Sequence, residues 1–340
     1  MKGIKIAQYV KGPDELVVES FPDVKPAPDQ YLIAVHAAAA NFFDILQIQG
    51  KYQNQPPFPW IAGAEFAGVV LATPSAASVL KPRFAVGDRV FGASQGAYAT
   101  KVVATESQLQ PVPPGWSFTE AAGLFVTAPT SYAALVFRAG VKQGDYVLVH
   151  AAAGGVGLAA VQIAKAFGAT VIATGGTDHK LAVAKAFGAD HTINYKTDGN
   201  WPETVRKLTP GGRGVDIVYD PVGMVDRSTK CTAWNGRILI VGFAAGKIEA
   251  VAMNKVLLKN ISLVGIHWGA YSLKEREAIP KVWSGLRQLI DRGAFRPTVF
   301  TDGERFVGLD RVPATLKALG GRETWGKVVV DIPQEAESKL

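Results

Sequence analysis

The sequence has very little cysteine, since Cys231 is the single one in 340 residues. An intramolecular disulfide and a zinc cluster of cysteines are therefore excluded. Apolar runs of about eighteen residues are also missing, so no membrane-spanning helix is expected. The net charge is +7, yet no run of about five basic residues occurs, and a nucleic-acid-binding arm is not expected. The basic excess fits a solvated surface or attraction of an anionic ligand, such as a phosphorylated cofactor.

Two different patterns divide the chain, as its length leads one to expect. Residues 1 to about 125 carry short strand patterns and turns, with a helix predicted from Phe42 to Gln49 and N-capped by Asn41. Such spacing is typical of a small barrel-like β domain. The apolar segment Lys327–Ile332 needs a sheet to join, so we place it in this first domain, which comprises residues 1–125 and 300–340.

Strands and helices alternate from residue 126 to about 299, which indicates a parallel sheet with right-handed crossovers. Residues 272–292 fit one long helix within this second domain. The predicted fold is therefore α/β, with a doubly wound Rossmann sheet beside a β-barrel domain. The predicted strands are 145–150, 170–174, 191–194, 215–219, 237–241 and 261–267.

A glycine-rich turn follows the first of these strands. Residues 151–157 read AAAGGVG and lead directly into a helix. The strand must turn sharply, the backbone must approach a pyrophosphate, and the helix must pack close to the strand, so small residues are required. The helix N-terminus then offers N–H groups to phosphates. A dinucleotide site at Gly154, Gly155 and Val156 is predicted, with a plain tight turn as the alternative.

The second strand of this domain indicates which dinucleotide binds. Gly175 stands where an NAD site has an acidic residue for the ribose 2′-hydroxyl. Lys180 can reach a 2′-phosphate and Tyr195 can hydrogen-bond it, so NADPH is predicted. The simpler interpretations are a solvated helix face for Lys180 and an N-cap for Asp178.

These patterns carry a family resemblance over nearly the whole chain. The chain resembles the medium-chain dehydrogenase/reductase superfamily, in its zinc-free quinone oxidoreductase (zeta-crystallin-like) branch. The resemblance implies a chaperonin-10-like catalytic β domain, a Rossmann domain, and a homodimer joined through the strand near residues 261–265. The matching segments are 41–44, 50–52, 63–70, 86–92, 151–157, 219–223 and 326–330.

The resemblance also bears on zinc. Zinc-dependent relatives place a cysteine where Asn41 stands and a histidine where Ala64 precedes Glu65. Asn41 and Ala64 supply neither thiolate nor imidazole, so no metal is predicted. Without a Lewis acid, acceptors that are already electrophilic fit best, namely quinones and double bonds conjugated to a carbonyl.

Cofactor-binding residues are implied by the same resemblance, outside the glycine turn. Asn41 contacts the nicotinamide ribose in this scheme, and Thr127 lies near the nicotinamide. The backbone at the end of the sixth strand, Ile266 to Trp268, meets the carboxamide. Further cofactor-binding positions are predicted at Val222, Phe243 and Lys327.

Tyr52 is the predicted catalytic residue. Relatives that reduce enoyl thioesters use a tyrosine at this place as proton donor, and the segment 47–52 resembles theirs. A tyrosine that only lines an aromatic pocket is the alternative. His150 is predicted to be a satisfied core histidine, and Cys231 a buried helix residue rather than a nucleophile.

Three functions stay open. The first is an NADPH-dependent quinone or enone reductase, acting on a small electrophilic molecule. The second is a peroxisomal trans-2-enoyl thioester (enoyl-CoA) reductase, favoured by the Tyr52 segment and by the ending Ser338-Lys339-Leu340. Such an ending is the type of signal that the peroxisomal import receptor reads, and a chance match of three common residues is the alternative. Otherwise a cytoplasmic location is expected. The third is a non-catalytic NADPH-binding protein, since fold does not fix function.

Overall fold

The computed structural model describes residues 1–75, 81–246 and 248–334. The chain divides into two compact units, Met1–Val126 with Pro297–Leu340, and Thr127–Arg296. The predicted import signal, residues 338–340, lies outside the described residues and stays a prediction.

Strands and helices are numbered in chain order. The strands are β1 (Lys2–Ile6), β2 (Val18–Ser20), β3 (Gln30–Ala39), β4 (Trp60–Ile61), β5 (Glu65–Ala72), β6 (Arg89–Ala93), β7 (Lys101–Thr105), β8 (Leu109–Pro111), β9 (Tyr146–Val149), β10 (Thr170–Gly175), β11 (His191–Asn194), β12 (Val215–Asp220), β13 (Thr232–Ile240), β14 (Ser262–Gly265), β15 (Phe306–Val307) and β16 (Val329–Asp331). The helices are α1 (Phe42–Ile48), α2 (Phe118–Ala122), α3 (Leu124–Tyr132), α4 (Gly155–Ala166), α5 (Asp178–Ala186), α6 (Trp201–Lys207), α7 (Val225–Ser228), α8 (Met253–Lys259), α9 (Tyr271–Lys274), α10 (Ala278–Asp291) and α11 (Val312–Gly320).

The first unit is built around β3, the longest strand of its larger sheet. β3 pairs antiparallel with β5, with β7 and with β16, so the strand near the end of the chain does return to this unit. The order in this sheet is β15-β16-β3-β5-β6-β8, and a second sheet has the order β2-β1-β4. Fully buried side chains fill the unit, Tyr31, Ile33, Phe66 and Tyr98 among them. Packing of apolar strand faces is the main stabilising contribution to such a unit.

The second unit is a doubly wound parallel sheet with the order β11-β10-β9-β12-β13-β14. The chain adds β10 and β11 on one side of β9 and then returns from β11 to place β12 on the other side, so the direction of strand addition reverses between β9 and β12. Open α/β sheets bind ligands beyond the carboxyl ends of the strands at this reversal point. The α/β fold predicted from the alternating pattern is confirmed.

One predicted element is wrong. The long helix expected over residues 272–292 is two helices, α9 and α10, separated by residues 275–277. Glu275 has φ −143° and ψ 56°, which no helix allows. Pro280 explains the break, because its ring clashes with the carbonyl four residues earlier and is tolerated only in a first helical turn.

Among the described residues, no helix combines the length and apolarity that a bilayer crossing requires.

Candidate functional site

The predicted nucleotide-binding positions of the second unit follow the strand ends of one sheet edge. Carboxyl ends of parallel strands share an edge, so residues after different strands become neighbours although they are far apart in sequence. The positions are Gly154–Val156 after β9, Gly175 closing β10, Tyr195 after β11, Val222 after β12, Phe243 after β13, and Ile266 with Trp268 after β14.

The turn after β9 requires its small residues. Ala151 takes a left-handed backbone with φ 45°, which is unfavourable for alanine relative to glycine. A Cβ at Gly157 would lie 2.4 Å from the Ala151 carbonyl oxygen and 2.7 Å from that of Ala152. Gly154 is the N-cap of α4 and brings no side chain over the helix end. The N–H groups of the first turn of α4 therefore stay accessible to a pyrophosphate.

The side chains that follow β11 leave no room for a side chain at Gly176, just after β10. A Cβ at Gly176 would lie 2.8 Å from the Tyr195 hydroxyl and 3.2 Å from the Lys196 Cε. Lys180 is half-buried in the first turn of α5. The donor groups present fit a 2′-phosphate better than a bare ribose hydroxyl, because Gly175 supplies no carboxylate.

The expected N-cap role of Asp178 is wrong by one residue. Thr177 is the N-cap of α5, and its hydroxyl accepts from the Lys180 N–H at 3.3 Å. Asp178 instead accepts a hydrogen bond from the Asn194 side chain at 2.9 Å. The reason is local, since Thr177 has the extended backbone that an N-cap needs.

The other predicted cofactor positions of this unit differ in exposure. Val222 donates its N–H to Asp220 at 2.8 Å, which shapes the turn after β12. Phe243 is 44% exposed, whereas Ile266 and Thr127 are buried. The Trp268 ring lies 5.0 Å from that of Tyr271. Their cofactor contacts stay predictions.

A buried polar cluster lies in the first unit. The Lys327 ammonium donates to Glu65 at 2.8 Å, to the Asn41 side-chain oxygen at 2.7 Å and to the Ala40 carbonyl at 3.0 Å. Asn41 Nδ2 donates to Glu65 at 3.0 Å, and the Val126 N–H donates to the other Glu65 oxygen at 2.8 Å. Asn41 is the N-cap of α1 as predicted, and its side chain in addition faces Lys327 and Glu65. The cofactor contacts implied for Asn41 and Lys327 stay predictions.

Asp44 is a member of this cluster that sequence reasoning missed. Its carboxylate accepts from the Asn41 N–H and the Tyr98 hydroxyl, each at 2.8 Å. Burial raises the pKa of Asp44 to about 7. The spacing of Asn41 and Asp44, an N-cap followed by an acid at N3, is a signal from which the contact could have been inferred.

The cluster does not fit a zinc ion. Where zinc-dependent relatives have cysteine and histidine, this chain has Asn41 and Ala64, and the Lys327 ammonium already neutralises Glu65. A cation would have to displace this ammonium and would find no thiolate or imidazole. In the described ranges, no group of three acidic, histidine or cysteine side chains is arranged to hold a metal.

Tyr52 follows α1 and stacks on Phe43, with ring centroids 5.3 Å apart. Burial raises its pKa, and the nearby charge of Asp44 raises it further. A phenol in this environment stays protonated at neutral pH and can donate a proton. Both predicted interpretations, proton donor and aromatic wall, are compatible with this placement.

His150 is the satisfied core histidine that the sequence indicates. Its two ring nitrogens lie 2.9 Å from the Thr174 and Ser228 hydroxyls, and burial lowers its pKa to about 4. Cys231 is buried as expected, although it lies in the turn after α7 rather than in a helix. Burial raises its pKa to about 12, so it is not a reactive thiolate.

Comparison with known proteins agrees with this architecture. Residues 155–285 match the family described as zinc-binding dehydrogenase, and residues 27–114 match the alcohol dehydrogenase GroES-like domain. A quinone oxidoreductase-like protein 2 homolog of Nematostella vectensis is 36% identical over 329 residues, 94% of this chain and 86% of the relative. Human quinone oxidoreductase is 32% identical over 271 residues, 78% of this chain and 80% of the relative.

A solved structure extends the comparison to the fold. The Escherichia coli quinone oxidoreductase complexed with NADPH superposes with a TM-score of 0.84 at 28% identity, over 97% of this chain and 100% of that chain. A GroES-like β unit and a doubly wound unit in one chain define a medium-chain dehydrogenase/reductase. The chain belongs to the quinone oxidoreductase branch of this superfamily.

Proposed function

We propose that this protein is an NADPH-dependent oxidoreductase that transfers hydride to a quinone or to an α,β-unsaturated carbonyl without a metal. The observation that carries the proposal is the end of β10. Gly175 stands where an NAD site has an acidic residue, and the Tyr195 hydroxyl packs against Gly176. The family supports it, since its Escherichia coli member was solved with NADPH.

The elements at the carboxyl edge of the parallel sheet bind different parts of NADPH in this proposal. The N–H groups of the first turn of α4 would hold the pyrophosphate of NADPH. Lys180 and Tyr195 would hold its 2′-phosphate through a charge-assisted and a neutral hydrogen bond. NADPH, when bound, supplies the hydride, and the protein orients it and keeps competing water away.

The acceptor class follows from the polar cluster of the first unit. We infer that no Lewis acid stabilises an alkoxide here, because Asn41 and Ala64 stand where zinc-dependent relatives have cysteine and histidine, and the Lys327 ammonium pairs with Glu65. Quinones and enones delocalise the negative charge left by hydride addition within their own π system. Positioning is then the main catalytic effect.

Steady-state oxidation of NADPH with 1,4-benzoquinone, with an enone and with an enoyl thioester is the direct test. Turnover with one of these and none with a simple alcohol plus NADP⁺ is expected. Elemental analysis of the purified protein should find no stoichiometric zinc, and chelators should leave the rate unchanged. Tight NADPH binding without any turnover would instead favour a non-catalytic NADPH-binding protein.

An enoyl thioester reductase is the second candidate. The half-buried Tyr52 favours it, because reduction of an enoyl thioester leaves an enolate that must be protonated at carbon. A quinone product takes its proton from water readily and does not need such a donor.

We also propose a homodimer through the edge formed by β14. The neighbouring helix α8 exposes Leu257 and Leu258 by 77% and 72%, and Ile248 is 75% exposed. Apolar side chains of this exposure mark an interaction surface when they cluster. Light scattering should give a dimer for the wild type and a monomer for Leu257→Glu/Leu258→Glu.

A further inference from the structure

His150 is a fully buried histidine between the two halves of the parallel sheet. It follows β9, from which β10 and β11 extend on one side and β12 to β14 on the other. Its backbone N–H donates to the Tyr219 carbonyl of β12 at 3.0 Å. The side chain is 0% exposed, and the Trp201 ring meets it edge-on, with the ring centroids 5.0 Å apart. The imidazole is therefore packed in place at the edge where the nucleotide-binding turns begin.

The hydrogen bonds of the imidazole determine which nitrogen carries the proton. Ser228 donates its hydroxyl hydrogen to the Met224 carbonyl at 2.7 Å, so the Ser228 oxygen can only accept from His150 Nε2, 2.9 Å away. His150 Nδ1 is then the unprotonated nitrogen, and it accepts from the Thr174 hydroxyl at 2.9 Å. A neutral imidazole has one donor and one acceptor nitrogen, and both are used here. The ring thus holds two partners, through a Thr174 contact and a Ser228 contact.

The Thr174 contact lies in the half of the sheet formed by β9, β10 and β11. Thr174 precedes Gly175 at the end of β10, and its carbonyl accepts from the Ala152 N–H of the glycine turn at 3.0 Å. In a dinucleotide-binding fold this half binds the adenosine nucleotide, because it carries the glycine turn and the residue that faces the adenosine ribose. The Thr174 contact therefore holds the end of β10 against the glycine turn.

The Ser228 contact lies in the other half, which begins with β12. Met224, which accepts the Ser228 hydroxyl, ends the turn after β12, and its N–H donates to Asp220 at 2.5 Å. The N–H groups of Val222 and Gly223 donate to the same carboxylate at 2.8 and 2.9 Å. The Ser228 contact therefore anchors the turn that carries the predicted cofactor position Val222. The second half of a dinucleotide-binding fold binds the nicotinamide nucleotide.

We propose that His150 is a positioning residue for NADPH, which holds the adenosine half and the nicotinamide half of the site in fixed relative positions through its two ring nitrogens. The inference rests on the NADPH site of the proposed function. Both nitrogens are engaged, so His150 acts on the cofactor through Thr174 and Ser228. Turns that are already ordered in the free protein lose less entropy when the ligand binds, and this raises the affinity. Loss of either contact should therefore weaken a different part of NADPH binding.

Two amide substitutions remove one contact at a time. The shorter asparagine amide lies near the place of Nδ1 and can keep the Thr174 contact, whereas the longer glutamine amide reaches the place of Nε2 and can keep the Ser228 contact. The two ligands are NADPH and 2′,5′-ADP, which contains the adenosine nucleotide and its 2′-phosphate but no nicotinamide. Isothermal titration gives the dissociation constant of each ligand for each variant.

His150→Gln should weaken 2′,5′-ADP and NADPH by the same factor, about tenfold, because the adenosine half is loosened. His150→Asn should weaken NADPH about tenfold and leave 2′,5′-ADP unchanged, because only the nicotinamide half is loosened. Thr174→Val should reproduce the first pattern and Ser228→Ala the second, and these variants replace a His150 variant that fails to fold. His191→Asn is the matched control, since His191 starts β11 at the opposite edge of the sheet, and it should bind both ligands like the wild type.

The decisive quantity is the ratio of the dissociation constants of NADPH and 2′,5′-ADP. It should rise in His150→Asn and keep the wild-type value in His150→Gln, whereas a merely structural role would move it equally in both variants or in neither. Any pattern other than the expected one, with a wild type that binds both ligands, overturns the inference and leaves the proposed function standing. A wild type that binds both ligands but reduces no acceptor overturns the reductase function, and the ratios still decide the role of His150. A wild type that binds neither ligand overturns both.

Discussion

Lys327 and Glu65 form a buried ion pair across 262 residues of sequence, with 2.8 Å between the ammonium and the carboxylate. Their side chains are 4% and 0% exposed. Asn41 and Ala40 accept the remaining Lys327 donors, so the pair is fully hydrogen-bonded. Such a pair is costly to break from one side, because an uncompensated charge then stays buried.

Replacing Lys327 by methionine should lower the free energy of unfolding by about 3–5 kcal/mol. The double variant Glu65→Gln/Lys327→Met should recover part of this loss, because it leaves no buried charge. Urea denaturation measures both. Lys317→Met is the control, since the Lys317 and Asp14 side chains are 68% and 73% exposed, and it should change little. A Lys327→Met protein as stable as the wild type would contradict the prediction.

Two buried groups should give opposite pH dependences of stability. Burial lowers the pKa of His150 from 6.5 to about 4, so between these values the unfolded chain binds the extra proton. The His150 contribution to the free energy of unfolding therefore falls as pH falls, by up to about 1.4 kcal/mol per pH unit. Burial raises the pKa of Asp44 from 3.8 to about 7, so there the folded chain binds the extra proton. The Asp44 contribution rises as pH falls over that range.

Urea titrations from about pH 4.5 to 7.5 on His150→Gln and Asp44→Asn isolate the two contributions. The stability of the wild type relative to His150→Gln should decrease toward low pH. The stability of the wild type relative to Asp44→Asn should increase toward low pH. Parallel curves for the wild type and either variant would show that the replaced residue does not contribute to the pH dependence of stability.

The glycine turn should tolerate a methyl group at one position and not at another. Gly157→Ala places a Cβ 2.4 Å from a backbone oxygen, so it should lower the free energy of unfolding by about 1–3 kcal/mol and weaken NADPH binding. Gly154→Ala meets the Ala151 oxygen at 3.2 Å and should be far milder. Thermal unfolding without cofactor, followed by calorimetric titration of NADPH, measures the two effects. Equal losses in both variants would show that the close approach is unimportant.

Lys180→Ala should weaken NADPH binding by roughly 10- to 150-fold and leave NADH binding unchanged, because one charge-assisted hydrogen bond to the 2′-phosphate is lost. Isothermal titration of both cofactors is the measurement. Lys185→Ala, an exposed position in the last turn of α5, is the matched control. The prediction fails if wild-type protein binds NADH as tightly as NADPH.

Tyr52→Phe should lower kcat for an enoyl thioester by about 10²–10⁴ and spare quinone reduction. The aromatic ring remains stacked on Phe43, so NADPH affinity and stability should barely change. Steady-state kinetics with both acceptors, at matched NADPH saturation, provides the comparison. Unchanged turnover of the enoyl substrate would leave Tyr52 as a wall of its pocket.

Much of the fold could be read from local sequence signals. Residues Ala151 to Gly157 are mostly small and lie between an apolar strand and an apolar helix. This short segment by itself indicates that the backbone must come close to a pyrophosphate and that the helix must pack close to the strand. Gly175 after the second strand likewise excludes a carboxylate by its identity alone. The break between α9 and α10 had a local signal too, in Pro280, although the periodic apolar pattern obscured it.

By itself, the sequence determined the alternating α/β pattern and the glycine turn, because these depend on residue identity and short-range geometry. The family resemblance indicated which residues stand in place of zinc ligands. Only the tertiary structure decided that the side chain of Asn41, the N-cap of α1, also meets Lys327, 286 residues away. Likewise, it set the Gln47 amide against Gln95, 48 residues away. Side chains choose among partners by distance and desolvation in the folded state, and no local pattern records which distant segment arrives beside them.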